Sequence, residues 1–345
     1  MYTLQATDID NGGEFFRKLN ANFAEAANPQ SSHTDAECRT RFIAEMNKKA
    51  ALLGMTGTTF YDPAGNQPMT IYRPNYQTDG YPEAFVSENA NTMTAMDALR
   101  LLIYASGMQH INDAWNIQSF TLTYRNGTTA KTATITSTVF TSSTYQSSIN
   151  ALLTSYDILG GKTGSMGFAP LNAHTLVLVV RSKTTGKIYA ATNFSTTTSA
   201  TSSDNKFKEI KKALDFVDAS GANPSFSQGG CVVAELPVIT PSLLNRATIP
   251  TSFSYGGTTS SYPASVSKVM TAILLNDNVL DLNQKVTVHE SDRQPPTGTN
   301  FVTGDVLTLR DLLQCMLMES SNTSAQVIAR VVGGILLDRD ANVME

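Results

Sequence analysis

Three short runs carry side chains from which a covalent hydrolase site can be made: Lys162-Thr163-Gly164, Ser265-Val266-Ser267-Lys268 and Ser320-Ser321-Asn322. A serine hydroxyl is inert near neutral pH unless a base takes its proton. A lysine becomes that base when burial or nearby positive charge lowers its pKa. Pro263, just ahead of Ser265, favours a helix start, where free backbone N–H groups can meet a developing negative charge. Lys268, three residues on, shares that helix face. Ser320 can relay a proton towards a leaving amine, and Asn322 can hold a substrate amide. Lys162 offers positive charge, Thr163 a hydroxyl for a substrate carboxylate, and Gly164 a close backbone approach. The Ser165 N–H then supplies one oxyanion donor opposite the N–H of Ser265. The chemistry is acyl transfer through a serine ester, with neither metal nor organic cofactor. Taken singly, each run has an ordinary role. S-x-x-K recurs by chance in a serine-rich chain, Ser-Ser-Asn caps helices, and Lys-Thr-Gly ends a strand in a turn.

Composition narrows the class. The 345 residues are 41% hydrophobic and 16% charged, with a formal net charge of −4, and no long basic block exists. That excludes nucleic acid as an expected partner. The lysines from Lys206 to Lys212 alternate with apolar residues and are expected on a solvated helix face. The first residues, MYTLQATDIDNGG, have neither the basic nor the apolar region of a signal peptide. No window approaches 18 apolar residues, so no membrane span is expected. Cys38, Cys231 and Cys315 allow at most one disulfide and have no zinc or redox spacing. His33, His110, His174 and His289 are scattered and are expected to be ordinary surface or core residues.

The hydrophobic pattern places elements around the motifs. Residues 1–34 read as a leader with Phe15, Phe16, Leu19 and Phe23 at helical spacing, a packed helix or a docking segment for an assembly partner. Helices are expected at 35–53, at Thr94 to Ala105 with Thr94 as cap, at Asp204 to Asp218, at Thr308 to Met318 behind a Thr308…Asp311 capping box, and at Ser324 to Val332. Segments 120–125 and 132–140 alternate and read as a hairpin around Asn126-Gly127. Thr175 to Val180, Ile188 to Phe194, CVVAELPVIT and Val286 to Val288 read as further strands. Lys183-Thr184-Thr185-Gly186, a second K-T-x-G run, falls in a hairpin turn and receives no catalytic role. Thr56 to Asn91 and Thr196 to Ser203 are expected as loops, and Ser220 to Gly230 as a linker. The sum is an antiparallel sheet backed by helices, with a helical lobe beside it.

The motifs and their surroundings resemble the penicillin-binding protein and serine beta-lactamase superfamily, most of all the D-alanyl-D-alanine carboxypeptidases. PASVSKVMTA is similar to that family's nucleophile segment, and LTLRDLLQCMLMESSNTSAQVIA to its second motif and preceding helix. FIAEMNKKAALLGMTGTTF resembles the stretch that follows, Thr92 to Ala105 a later helix, and YDILGGKTG the third motif. The likeness spans roughly residues 40–335, but the family's order is S-x-x-K, S-x-N, K-T-G, whereas here K-T-G comes first.

The resemblance therefore implies an α/β (α+β) transpeptidase-like fold that is circularly permuted. It has a five-stranded, mainly antiparallel sheet in a catalytic domain at 35–345, the sheet lobe mainly at 115–260 and the helical lobe at 35–110 and 270–345. Ends joined through residues 219–230 complete the permutation. Two partial domains completed by a neighbouring chain are the alternative.

The implied activity is a serine-type D-Ala-D-Ala carboxypeptidase on peptidoglycan stem peptides, acylated by beta-lactams. Ser265 is then the nucleophile, Lys268 its base, Ser320 the relay, Asn322 the amide clamp, and Lys162 with Thr163 the carboxylate site. A serine beta-lactamase and a non-catalytic module on the same scaffold are the other expectations. For the former, Glu45, Glu83 and Glu88 lack the context of a water-activating glutamate. The substrate implies an extracytoplasmic location.

Overall fold

The computed structural model describes residues 33–65, 89–168, 171–197, 205–219, 223–226, 229–236, 249–294 and 297–343. The leader before residue 33 and most of the expected 196–203 loop lie outside the described residues, as do Glu83 and Glu88.

Helix α1 (Asp35–Leu52) opens on a Thr34–Glu37 capping box. Strand β1 (Met93–Thr94) leads into α2 (Ala95–Ser106), where the Thr94 hydroxyl accepts the Asp97 N–H, as the sequence predicts. Helix α3 (Gln109–Trp115), not expected from the sequence, follows. The hairpin β2 (Ser119–Asn126) and β3 (Thr129–Thr136) pairs from Ser119↔Thr136 to Asn126↔Thr129, so its loop is Gly127-Thr128. The second strand stops at Thr136 rather than running to Phe140, because Ser137 to Thr141 closes into a backbone-bonded turn. After the short, unforeseen α4 (Gln146–Leu153) come β4 (Tyr156–Phe168), β5 (Leu171–Ser182), β6 (Ile188–Thr197), α5 (Asn205–Ala219), β7 (Gly230–Glu235), β8 (Phe253–Tyr255) and β9 (Ser260–Ser261). A 3₁₀ turn at Ala264–Ser267 enters α6 (Lys268–Asn278). Strands β10 (Lys285–Thr287) and β11 (Asp305–Thr308) flank a 3₁₀ turn at Glu290–Asp292. Helices α7 (Leu309–Met318) and α8 (Asn322–Val343) close the order.

The main sheet has five strands in the order β4-β5-β6-β7-β8, every neighbouring pair antiparallel. Its central strands are buried on both faces. Leu176, Leu178 and Val180 of β5 join Phe207, Ile210 and Leu214 of α5 and Ile149 and Leu152 of α4 in one core. Val177 and Val179 point the other way, into the larger core that also contains residues of α2, α6, α7 and α8. The β2–β3 hairpin lies in a separate four-stranded sheet, ordered β10-β11-β2-β3. The Lys183–Gly186 run is the β5–β6 hairpin turn, with Gly186 at φ 72°. The expected linker is not free: Phe226 is buried and stacks near Phe253 and Tyr255. Thr196 and Thr197, expected in a loop, belong to β6. All three cysteines are free and buried. Among the described residues, no helix is long and apolar enough to cross a membrane.

Helices α1 and α8 pack so closely that a Cβ on Gly333 would stand 1.8 Å from the Cys38 carbonyl oxygen. Alanine is the better helix former by about 1 kcal/mol, yet here its methyl would strike backbone that has no rotamer to change. Gly333→Ala should therefore destabilise the fold by about 1–3 kcal/mol. Its neighbour Gly334 would meet only the Cys38 Sγ, at 3.6 Å, so Gly334→Ala should be neutral or stabilising. Urea unfolding of the two variants tests the contrast, and equal midpoints would refute it.

Candidate active site

Proline and a strained residue set the entry to the first motif. Ala264, next to Pro263, has φ 48°, one of two non-glycine residues with positive φ among those described; the other is Ser320, at φ 72°. Strain of this kind persists only where surrounding structure fixes it, and it clusters at functional sites. Here the two residues belong to separate motifs. Ser265 lies in the 3₁₀ turn rather than in the first turn of the α-helix, and is half-buried, while Lys268 is the first residue of α6 and fully buried.

Lys268 Nζ lies 2.8 Å from Ser265 Oγ, 2.6 Å from Asn322 Oδ1 and 2.8 Å from the Ala64 carbonyl oxygen. An ammonium donates to all three. A neutral amine donates twice and uses its lone pair once. Two acceptors that carry no proton, Ala64 O and Asn322 Oδ1, thus leave the lone pair for the Ser265 proton. Burial pushes Lys268 down to about 7, opposed by the charge of Asp62. With Oδ1 engaged, Asn322 keeps Nδ2 without a hydrogen-bond partner among the described residues.

The segment carrying Ala64 is held firmly beside Ser265 and Lys268. Asn91 Nδ2 donates to Asp62 O and Ser267 Oγ, and its Oδ1 accepts from the N–H groups of Tyr61 and Asp62. Thr271 Oγ1 donates to Pro63 O at 2.7 Å, and the Asp62 carboxylate accepts from Ala64 N–H and Gln326 Nε2. Sequence reasoning treated 56–91 as loop and missed this support. The only signal was an Asp-Pro-Ala-Gly turn, which by itself says nothing about what the turn holds.

Strand β4 brings the third motif alongside. A Cβ on Gly164 would fall 2.1 Å from Thr175 Oγ1, 2.8 Å from Pro263 O and 3.1 Å from Ser265 N, so only glycine lets this edge approach the turn that carries Ser265. Lys162 is fully buried and donates to Thr163 O at 2.7 Å. Burial, then the neighbouring charges of Lys268 and Lys206, push its pKa well down. No hydrogen bond joins Lys162 to Ser320 among the described residues. Ser165, at the exposed end of the motif, has its Oγ 3.5 Å from Lys206 Nζ.

Ser320 ends the turn after α7, and its carbonyl accepts from Thr297 Oγ1 at 2.7 Å, while the same hydroxyl accepts the Asn322 N–H at 3.2 Å. One threonine thus closes both sides of the Ser-Ser-Asn run. A second tie comes from Thr138, whose Oγ1 lies 2.8 Å from Thr163 Oγ1 and 3.1 Å from Met318 O. Neither threonine stands in a pattern that marks it.

Lys206 corrects an expectation. It is fully buried rather than solvated, 3.3 Å from Gly164 O and 4.4 Å from the centre of the Tyr145 ring, and burial pushes its pKa down to about 7. The signal was present in the sequence: Lys206 precedes Ile210 and Leu214 by four and eight residues, on the buried stripe. Lys162, Lys206 and Lys268 therefore form a group of buried amines around the third motif, each with its charged form disfavoured, an environment in which an anionic ligand would favour the charged forms.

Residues 236–338 match a family model described as "Beta-lactamase enzyme family", under a third of the chain. The match takes in Ser265, Lys268, Ser320 and Asn322 but ends outside Lys162-Thr163-Gly164. It supports a beta-lactamase-superfamily fold, and hence an enzyme superfamily. No curated protein and no solved structure matched the chain.

Proposed function

We propose that the protein is a serine-type D-Ala-D-Ala carboxypeptidase whose acyl-enzyme forms at Ser265. The observation that carries this is Lys268 Nζ at 2.8 Å from Ser265 Oγ, with its other two polar contacts satisfied by acceptors that have no proton to give. Neutral Lys268 takes the Ser265 proton as Oγ adds to the penultimate D-Ala carbonyl. The oxyanion meets the N–H groups of Ser265 and Ser165, and Asn322 Nδ2 holds the substrate amide. Collapse of the tetrahedral adduct breaks the peptide bond. The departing D-Ala nitrogen takes a proton through Ser320, and water hydrolyses the ester. The terminal carboxylate binds at Thr163 and Lys162, whose charged form it favours. A penicillin presents a carboxylate and a strained amide to the same groups.

Motif order is best accounted for by circular permutation. Residues 62–64, 162–165, 265–268 and 320–322 converge within one chain, and α1 lies directly on α8, as it would if it followed α8 in an unpermuted relative. Release of the acyl group is expected to be slow. Among the described residues, Glu45 is engaged with Arg41 and Lys48, Asp62 with Ala64 and Gln326, and no hydrogen bond joins a carboxylate to Ser265. A peptidoglycan substrate would place the protein outside the cytoplasm.

Intact-mass measurement after incubation with benzylpenicillin tests the proposal. One adduct of the penicillin's mass should form and persist, and Ser265→Ala should abolish it. An adduct of equal yield on the Ala variant would remove Ser265 from the role. Rapid release of penicilloate by the wild type would move the protein to the beta-lactamase side.

A further inference from the structure

Thr138 sits in the turn after β3, where its N–H and its hydroxyl tie the third motif to the end of α7. Its N–H donates to Met318 O at 2.9 Å, its Oγ1 is 3.1 Å from that same oxygen, and Oγ1 is 2.8 Å from Thr163 Oγ1. Each hydroxyl has one proton. If Thr138 gives its proton to Met318 O, Thr163 must give its own to Thr138 and has none to offer a ligand. If Thr138 gives its proton to Thr163, the Thr163 proton is free to turn outward.

The second arrangement leaves no carbonyl without a partner, because Met318 O keeps the Thr138 N–H. The exchange gives up only the longest contact of the three. A ligand carboxylate, which accepts strongly, favours it. A charge-neutral carboxamide accepts more weakly, and its N–H₂ group meets Thr163 only as an acceptor, a contact that both arrangements allow and that gains nothing from the second.

We infer that Thr138 is a positioning residue that turns Thr163 into a hydrogen-bond donor and thereby selects a ligand with a free carboxylate. This rests on the carboxylate site of the proposed function, and it adds the residue that sets the direction of the hydroxyl pair. Thr138 is also the link between the third motif and the end of α7, two residues before Ser320, so a merely structural role is the competing explanation.

The experiment uses the full chain and two probes: diacetyl-L-Lys-D-Ala-D-Ala and its C-terminal amide. Thr138→Val removes the hydroxyl at nearly constant volume, and Thr138→Ser returns it. In Thr138→Val, KM for the acid should rise about tenfold, the weight of one polar contact. The loss should appear in KM more than in kcat. KM for the amide should change by less than about twofold, and Thr138→Ser should restore the acid–amide ratio.

A structural role would shift both probes together, lower the unfolding midpoint, and sink the inference. Binding of the same probes to Ser265→Ala protein, by calorimetry with and without Thr138→Val, gives the answer without turnover. If that binding shows the selective loss while the wild type cleaves nothing, the enzymatic proposal fails and the role of Thr138 stands. If the wild type cleaves the peptide but Thr138→Val leaves the acid–amide ratio unchanged, the role of Thr138 is wrong and the enzymatic proposal stands. Failure of Ser265→Ala protein to bind the acid at all overturns the inference as well.

Discussion

Lys268→Met should slow penicillin acylation of Ser265 by about 10³-fold, the middle of the range for removing a general base. Methionine keeps the length and the apolar stem of the lysine, so the buried space stays filled. What disappears is the group that accepts the serine proton, together with the donors to Ala64 O and Asn322 Oδ1. Lys268→Arg should be no better, since a guanidinium does not give up its proton in proteins.

The wild-type rate has a direction with pH. Lys268 acts in its neutral form, and burial, opposed by Asp62, places its pKa at about 7. Acylation should therefore climb as pH rises towards 7 and level off above it, and the methionine variant should lose that step. Rapid quenching followed by intact-mass measurement gives both rates. A methionine variant within tenfold of wild type, or a wild-type profile flat through pH 7, would remove Lys268 from the role of base.

Asp292→Ala should cost about 3–5 kcal/mol of folding stability, the usual penalty for removing one partner from a buried charge network. Asp292 is fully buried between two arginines. Arg39 of α1 donates to it, and Arg330 of α8 reaches it with Nε at 3.0 Å and Nη2 at 2.8 Å. Both guanidiniums are nearly or wholly out of water and cannot neutralise by losing a proton. Asp292→Asn, which keeps the shape and one acceptor oxygen, should lie between Ala and wild type. Urea unfolding is the measurement. A loss below about 1 kcal/mol would mean that water reaches the arginines once the carboxylate is gone. Replacing all three residues together by apolar ones should recover much of the loss, because no charge is then left stranded.

The arrangement of Ser265, Lys268 and Asn322 in the candidate site was legible because these side chains lie in short runs at fixed spacings. Ser265 and Lys268 are three residues apart at a helix start, and that spacing alone sets one beside the other. The Thr94 and Thr308 caps were legible for the same reason, being local. What was not legible is held across the chain. Ala64 O, Thr138 and Thr297 act through a carbonyl or a single hydroxyl, and their partners are between 23 and 204 positions away. No local pattern announces such contacts. Val286 to Val288 was read as a strand, one residue off β10, but the four-stranded sheet as such was missed because β11, which joins β10 to the hairpin, has only four residues, too few for an alternation to register. Lys206 was misplaced because its charge was given more weight than its position on the apolar stripe.

The packing of Gly333 on Cys38 has a consequence for how the molecule comes into being. A ribosome makes α1 and the whole five-stranded sheet before it makes Ser265, and it makes α8 after that. The face of α1 bearing Phe42 and Met46, buried in the finished protein, has no α8 to lie against until about 300 further residues have emerged. During that interval Lys162 stands on a strand whose opposing turn does not yet exist, with solvent where Pro263 and Ser265 will be. The nascent chain therefore carries an exposed apolar helix through that interval, and for about 100 residues of it an incomplete site at Lys162, the kind of intermediate that chaperones hold. The contacts among Ala64, Gly164, Ser265, Lys268 and Asn322 form only when the segment from Ser265 to Asn322 closes over what was made first.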